Sequence, residues 1–460
     1  MTTRAWFAAD AWLPQGWARN VRCEVDAQGA IARIDIGAGA GAGGCERIDG
    51  PVVPGLCDVH SHAFQRAFAG LAERSAARHQ DDSFWTWREL MYRFVARLSP
   101  ETLGRITAQL YVELLKGGYT AVCEFHYVHR DPQGAAYANA GEMSERIIAA
   151  AREVGMGLTL LPVLYMTSNF GGAAPHAGQR RFLADPETLL RLVQDLRQRH
   201  GDALCVGIAP HSLRAVPPDA LAALVSGLAA IGGGPIHIHV AEQTKEVDDC
   251  LAWSGRRPVQ WLLDKQKVTP AWCLVHATHM TPAETLALAQ TGAVAGLCPT
   301  TEANLGDGFF ALRQYVDHGG TYGIGSDSNI ATHCAEELRW LEYGQRLLLR
   351  QRNVMAPAAD SSVGETLYRQ ALAGGAQASG RPVGGLAVGQ RADLVVLDPN
   401  HPSLLGRERD AWLDAYVFCA HGNPVRDVMV GGEWVIRDGR HALENVIAQR
   451  YAVALREFTQ

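Results

Sequence analysis

Val52-Val53-Pro54-Gly55-Leu56-Cys57-Asp58-Val59-His60-Ser61-His62 opens the central part of the chain. The run is apolar up to Asp58, which predicts a buried strand beginning near Val52. Residues i and i+2 of a strand face the same side. His60 and His62 therefore point together at the strand's C-terminal end. Two imidazoles on one face make half of a zinc site. Taken alone, an HxH pair fits two ordinary polar residues at a strand end equally well.

Short apolar runs recur on either side of longer helical patterns. Candidate strands begin near Val52, Thr120, Leu158, Leu204, Pro235, Trp272, Ala293 and Thr321. Helical patterns cover 100–116, 142–154, 186–199, 217–231 and 281–291. Ser99-Pro100-Glu101, Asp185-Pro186-Glu187 and Thr281-Pro282-Ala283-Glu284 carry N-cap and first-turn signals. Eight strand–helix alternations predict an α/β fold, a parallel (β/α)8 barrel of the TIM type. A doubly wound open sheet is the alternative, but no Gly-rich phosphate-binding turn follows the first strand.

Both flanks read differently. Trp6-Phe7-Ala8-Ala9, Val21-Arg22-Cys23-Glu24-Val25 and Ile31-Ala32-Arg33-Ile34-Asp35-Ile36 read as short strands, followed by a Gly/Ala linker at 37–44. Short strands return at Asp393-Leu394-Val395-Val396-Leu397, Val428-Met429-Val430 and Glu433-Trp434-Val435-Ile436. The expected organisation is a small flanking β-sandwich domain made from both termini. Residues 1–50 give its N-terminal part, 51–380 form the barrel, and 381–460 complete the small domain and add a final helix over 444–458.

Composition excludes several classes. A net charge of −6 without a clustered basic run argues against nucleic acid and membrane surfaces as partners. No stretch of about 20 apolar residues is present. The start, Met1-Thr2-Thr3-Arg4-Ala5-Trp6-Phe7, lacks signal-peptide features. The ten cysteines form no CxxC pair and several sit in apolar runs, which reads as buried thiols in a reducing compartment. A cytoplasmic enzyme acting on a small molecule is the expectation.

Three further signals end later strands: His237-Ile238-His239-Val240-Ala241-Glu242, Leu274-Val275-His276-Ala277 and Gly323-Ile324-Gly325-Ser326-Asp327-Ser328. Each places a His, Glu or Asp where a barrel strand meets its catalytic face. Their coincidence with His60 and His62 in one chain is hard to explain by chance.

This pattern resembles the amidohydrolase superfamily across essentially the whole chain. The resemblance implies metal ligands His60, His62, His239 and Asp327. Leu204-Cys205-Val206-Gly207-Ile208-Ala209-Pro210-His211 contains no Lys to bridge two metals, so one zinc per subunit is implied, as in the deaminase branch. That branch carries HxxE, matched by His239-Val240-Ala241-Glu242. It assigns His276 and Asp327 to the proton of the attacking water and Glu242 to protonating the substrate's imine nitrogen. His237, two residues before the ligand, is read as a supporting or core residue.

Four segments resemble the formimidoylglutamate deiminase family more narrowly: 60–67, Phe84-Trp85-Thr86-Trp87-Arg88-Glu89, Glu124-Phe125-His126-Tyr127-Val128-His129, and Ala209-Pro210-His211-Ser212-Leu213-Arg214. The implied reaction is hydrolytic deimination of N-formimino-L-glutamate to N-formyl-L-glutamate in histidine degradation. Two substrate carboxylates call for fixed cations. The resemblance points to Arg88 and Arg214, with Gln65, Tyr127 and His211 beside them, and to a homodimer. Arg88 also fits a solvated helix residue, and Trp85 and Trp87 fit simple packing. Cys298-Pro299-Thr300-Thr301-Glu302-Ala303-Asn304 reads as a substrate-facing loop with no residue roles assigned.

A purine deaminase would share the metal site but would need stacking and neutral hydrogen bonds in place of paired arginines. A non-catalytic scaffold would lack some of the ligands.

Overall fold

Leu56–Ser61 is buried at every position and forms the first barrel strand. It runs parallel to Tyr119–His126, which runs parallel to Gly157–Leu164. The fourth strand is split into Cys205–Val206 and Ala209–Pro210, both parallel to the third. Gly207 separates the halves because any Cβ there would overlap the Pro235 carbonyl oxygen. Strands five to eight are Ile236–Val240, Trp272–His276, Val294–Leu297 and Thr321–Ile324, parallel in sequence order. Bridges Ile208–Ile236 and Ser212–His239 join strand four to strand five, and Ser61–Asp327 joins strand one to strand eight. The sheet is therefore closed into a (β/α)8 barrel. Burial on both faces is why its strands read as apolar runs with little alternation.

The computed structural model describes residues 4–39, 44–74 and 83–459. Positions 40–43 of the expected linker lie outside the described residues. The helices expected at 186–199, 217–231 and 281–291 are Pro186–His200, Pro218–Ala230 and Pro282–Gln290. Thr281 caps the last of these, accepting from Glu284 N at 3.2 Å while Glu284 reaches back to Thr281 N at 2.8 Å.

A nine-stranded sheet takes strands from both ends of the chain. Its order is Arg440–His441, Glu433–Arg437, Val425–Val430, Leu394–Leu397, Val52–Pro54, Arg4–Leu13, Gly16–Val25 and Ile31–Asp35, with Glu46–Ile48 also on Arg4–Leu13. The single strand read from Val52 is thus two elements. Val52–Pro54 pairs with Leu394–Leu397 in this sheet, and Gly55 separates it from the barrel strand. Apolar character continues through both, so hydrophobicity alone could not mark the break. A helix missing from the sequence reading, Asp410–Phe418, packs on the helices Val363–Ser379 and Cys334–Leu349. The terminal helix Glu444–Thr459 lies against Pro100–Lys116. Among the described residues no helix is long and apolar enough to cross a membrane.

Helix Val363–Ser379 covers strand eight at very close range. A Cβ at buried Gly374 would overlap the Tyr322 carbonyl oxygen. Gly374→Ala should therefore destabilise the protein by about 1–3 kcal/mol through overpacking. Urea unfolding measures this, and an unchanged midpoint would mean that the helix can withdraw at no cost.

Candidate active site

The C-terminal ends of strands one, five, six and eight meet at one mouth of the barrel. The backbone there is bent hard. Ala241, His276, Ala277 and Asp327 have φ of 53°, 65°, 48° and 47°. Non-glycine residues in this region cost of order 1–3 kcal/mol each and persist only where their surroundings fix them. For Asp327 the fixing is visible. Its N–H donates to the His60 carbonyl at 2.8 Å, and its carbonyl accepts from His62 N–H at 3.0 Å. Beneath it, buried Asp58 accepts from His60 N and Ser326 N at 3.1 Å each and from the Ser326 hydroxyl. Burial pushes Asp58 up to about 7 against those hydrogen bonds.

Four side chains converge above this junction. His60 Nε2 lies 3.0 Å from His239 Nε2. Asp327 Oδ1 lies 3.5 Å from His60 Nε2 and 3.4 Å from His62 Nε2. Two outer nitrogens are engaged elsewhere: His62 Nδ1 donates to the Phe125 carbonyl at 2.9 Å and His239 Nδ1 to the His211 carbonyl at 3.0 Å, while His60 Nδ1 is buried without a partner among the described residues. Each such bond leaves Nε2 as a lone pair aimed into the cluster. Burial, reinforced by neighbouring imidazoles, drives His62 down to about 3 and His239 well below its usual value. Burial alone would raise Asp327, but hydrogen bonding and charge from His60, then charge from His62 and His276, hold it below the ordinary carboxylate range. Three neutral imidazoles and one carboxylate, with candidate donor atoms within 4.8 Å of one another in the His60–His62–Asp327 and His60–His239–His276 groups, fit a divalent cation of the zinc type.

His276 and Glu242 flank the cluster. His276 Nε2 is 3.7 Å from Asp327 Oδ2 and 3.8 Å from Glu242 Oε1. Burial alone would lower His276, but Glu242, Glu302 and Asp327 together raise it to about 10. Burial raises Glu242 to about 7, with His276 and Arg214 opposing. A carboxyl balanced near neutrality can both hold and give a proton. The 298–304 segment expected as a loop is instead the helix Pro299–Leu305. Its Glu302 accepts from His276 Nδ1 at 3.2 Å and from Cys298 N–H at 2.9 Å. Only an acid close after the end of strand seven hinted at that role. His237 points the other way, its Nε2 on the Ala378 carbonyl at 2.9 Å.

Beside the cluster opens a cavity lined by Gln65, Arg88, Tyr127, His211, Arg214, Glu242, His276 and Asp327, together with His62 and His239. All five residues expected to bind substrate thus line the same space. Arg214 is buried, with Glu246 at 3.8 Å. Among the described residues the Arg88 side chain makes no hydrogen bond or ion pair, and its guanidinium lies 4.6 Å from the Trp85 ring. Gln65 Nε2 donates to Tyr127 Oη at 2.9 Å, leaving Gln65 Oε1 buried without a partner among the described residues. Sequence reasoning missed Tyr92, Tyr165 and Phe182, which wall the far side. Aromatics on helices and strand ends carry no signal that separates lining from core. His126 and His129 pack on each other outside the cavity, with His129 Nε2 on the Val163 carbonyl at 2.9 Å.

Against this geometry, comparison with known proteins is specific. The amidohydrolase family model matches residues 52–435. A model for the N-terminal domain of formimidoylglutamate deiminase matches residues 3–47. A formimidoylglutamate deiminase of Pseudomonas aeruginosa is 56% identical over 454 residues, 98% of each chain. A 5-methylthioadenosine/S-adenosylhomocysteine deaminase of Natronomonas pharaonis is 28% identical, over 84% of this chain and 81% of its own. The crystal structure of an amidohydrolase from Brucella melitensis superimposes with a TM-score of 0.94 at 49% identity, covering 99% of this chain and 100% of that one. Matched along nearly its whole length, the chain belongs to the amidohydrolase family, in the branch of the formimidoylglutamate deiminases.

Proposed function

We propose that the protein hydrolyses N-formimino-L-glutamate to N-formyl-L-glutamate and ammonia, a step of histidine degradation. The observation that carries this reading is the pair Arg88 and Arg214. Both face one cavity beside the His/Asp cluster, and neither has a carboxylate at hydrogen-bond distance. Guanidinium groups held this way fit a ligand that brings two carboxylates of its own. A purine would leave both unpaired. The similarity to the Pseudomonas aeruginosa deiminase supports the same substrate.

In this reading His60, His62, His239 and Asp327 hold one zinc per subunit. The ion acts as a Lewis acid that makes a water nucleophilic near neutral pH. Arg88 and Arg214 fix the substrate carboxylates. Gln65 Oε1 is free to accept an amidine N–H, and Tyr127 and His211 complete the wall. Water adds to the amidine carbon and passes its proton to Asp327, while His276 Nε2, 3.7 Å from Asp327 Oδ2, orients the attacking oxygen. Glu242 protonates the imine nitrogen as the water oxygen bonds to carbon. The resulting amino group then takes the proton held at Asp327 and leaves as ammonia, while Glu242 recovers a proton from the adduct's hydroxyl and the carbon keeps that oxygen as the formyl group. Ten cysteines without a disulfide suit a reducing, cytoplasmic setting. Assembly as a homodimer belongs to the same reading, since helix Cys334–Leu349 exposes Trp340, Leu347 and Leu348.

Ammonia release by the zinc-loaded protein, offered N-formimino-L-glutamate beside guanine and adenosine, tests the reading directly. Turnover of the formimino compound alone is expected, and turnover of a purine alone would discard the substrate. His276→Asn should remain folded and lose about 10²–10⁴-fold in kcat, and Asp327→Asn should lose activity together with bound metal. Full activity in either variant would overturn the proton-handling roles of His276 and Asp327. Arg214→Met should raise KM about 10- to 100-fold, the scale of a charged hydrogen bond, with little change in melting temperature. An unfolded variant that keeps its affinity would make Arg214 structural.

A further inference from the structure

Helix Phe84–Val95 begins at Ser83, whose side chain accepts from Trp85 N at 3.3 Å. Residues three or four apart on a helix are neighbours on its surface. Trp85, Arg88 and Tyr92 therefore form one stripe. The Arg88 guanidinium lies 4.6 Å from the Trp85 ring centroid and 5.7 Å from that of Tyr92. A second guanidinium reaches the same indole from another part of the chain, with Arg214 at 5.8 Å. Lys245, already paired with Asp249 at 2.8 Å, approaches it at 6.0 Å. Trp85 itself does not line the cavity.

We propose that Trp85 is a positioning residue that sets the spacing of Arg88 and Arg214, and thereby selects dicarboxylate over monocarboxylate formimino substrates. This inference rests on the deiminase reading above. The physical argument starts from repulsion. Two guanidinium groups facing one partly buried cavity repel each other, and neither is held by an acid at hydrogen-bond distance. The negative face of an indole attracts cations within about 6 Å. One rigid ring shared by both side chains limits where each can go. Arg88 comes from the helix after strand one, whereas Arg214 follows strand four. The indole is thus a ring face that both guanidinium groups approach within 6 Å. A dicarboxylate must meet both cations at once, so its binding depends on their separation. A substrate with one carboxylate needs only one of them and is insensitive to it.

Steady-state kinetics of Trp85→Leu and Trp85→Phe on N-formimino-L-glutamate and N-formiminoglycine test this, beside thermal melting of each variant. Trp85→Leu is expected to raise KM for the glutamate derivative about 5- to 30-fold, the scale of a partly buried cation–π contact. Its kcat should stay within about threefold, and kcat/KM for the glycine derivative within about twofold. Trp85→Phe, which keeps a weaker aromatic face, should fall between wild type and Trp85→Leu. Equal losses on both substrates, or none on either, with an active wild type would overturn the inference and leave the deiminase reading standing. A wild type inactive on N-formimino-L-glutamate would overturn both. If Trp85→Leu does not fold, Trp85→Phe decides: a selective KM rise on the glutamate derivative supports the role, and an equal effect on both substrates overturns it.

Discussion

Two backbone hydrogen bonds hold strand one against strand eight at the catalytic mouth, from Asp327 N–H to the His60 carbonyl and from His62 N–H to the Asp327 carbonyl. The rest of the site hangs on this junction. The residues that exchange these bonds also carry three of the four side chains suited to a metal ion. Closing the barrel and gathering the donors are therefore one event. The junction is also where Asp327 is forced to a φ of 47°, a conformation that would relax if the strands parted. Asp58 supports it from below through three hydrogen bonds. A cation bound by these donors would oppose opening of the junction, since binding free energy at a site absent from the unfolded chain is folding free energy.

Charge is distributed unevenly around that junction. On the cluster side, acids outnumber committed cations: Glu242, Glu302 and Asp327 all reach His276 within 4 Å. On the cavity side, neither Arg88 nor Arg214 has a carboxylate at hydrogen-bond distance among the described residues, Glu246 standing 3.8 Å from Arg214. A buried charge lacking a partner is expensive, so both halves are tuned to what they receive. A divalent cation and a dianionic ligand would each settle in the half that lacks its sign. Because the groups are fixed before binding, little reorganisation is needed when the ligand arrives.

Much of this was legible in the sequence. The period of the barrel strands, the capped helix starts at Ser99, Asp185 and Thr281, and the His, Glu and Asp residues at strand ends are local patterns with local causes. What escaped was decided by tertiary contact. Val52–Pro54 runs on into the apolar start of Leu56–Ser61, and their pairing partners set them apart. Glu302 lies within a seven-residue helix, and its importance comes from His276 arriving on another strand. Arg88 could equally have been a solvated helix residue. Its helix turns it inward through Trp85 and Tyr92, at i−3 and i+4, a stripe that aromatic content alone does not distinguish from ordinary core.

The two halves of the site also come from different parts of the barrel. Strands five, six and eight, with the end of strand one, bring the clustered imidazoles and carboxylates. The segments after strands one, two and four bring Gln65, Arg88, Tyr127, His211 and Arg214. In a closed barrel, loops at the catalytic mouth can change without disturbing the strands beneath them. The buried junction of strands one and eight tolerates little change, because each atom there serves both closure and chemistry. The arginine half carries no such double duty, except where Tyr127 and His211 touch the donors: His62 and Tyr127 rings lie 4.9 Å apart, as do His211 and His239. On the proposed reading, substrate choice is free to vary at Arg88 and Arg214, and is tied to the candidate metal cluster at Tyr127 and His211.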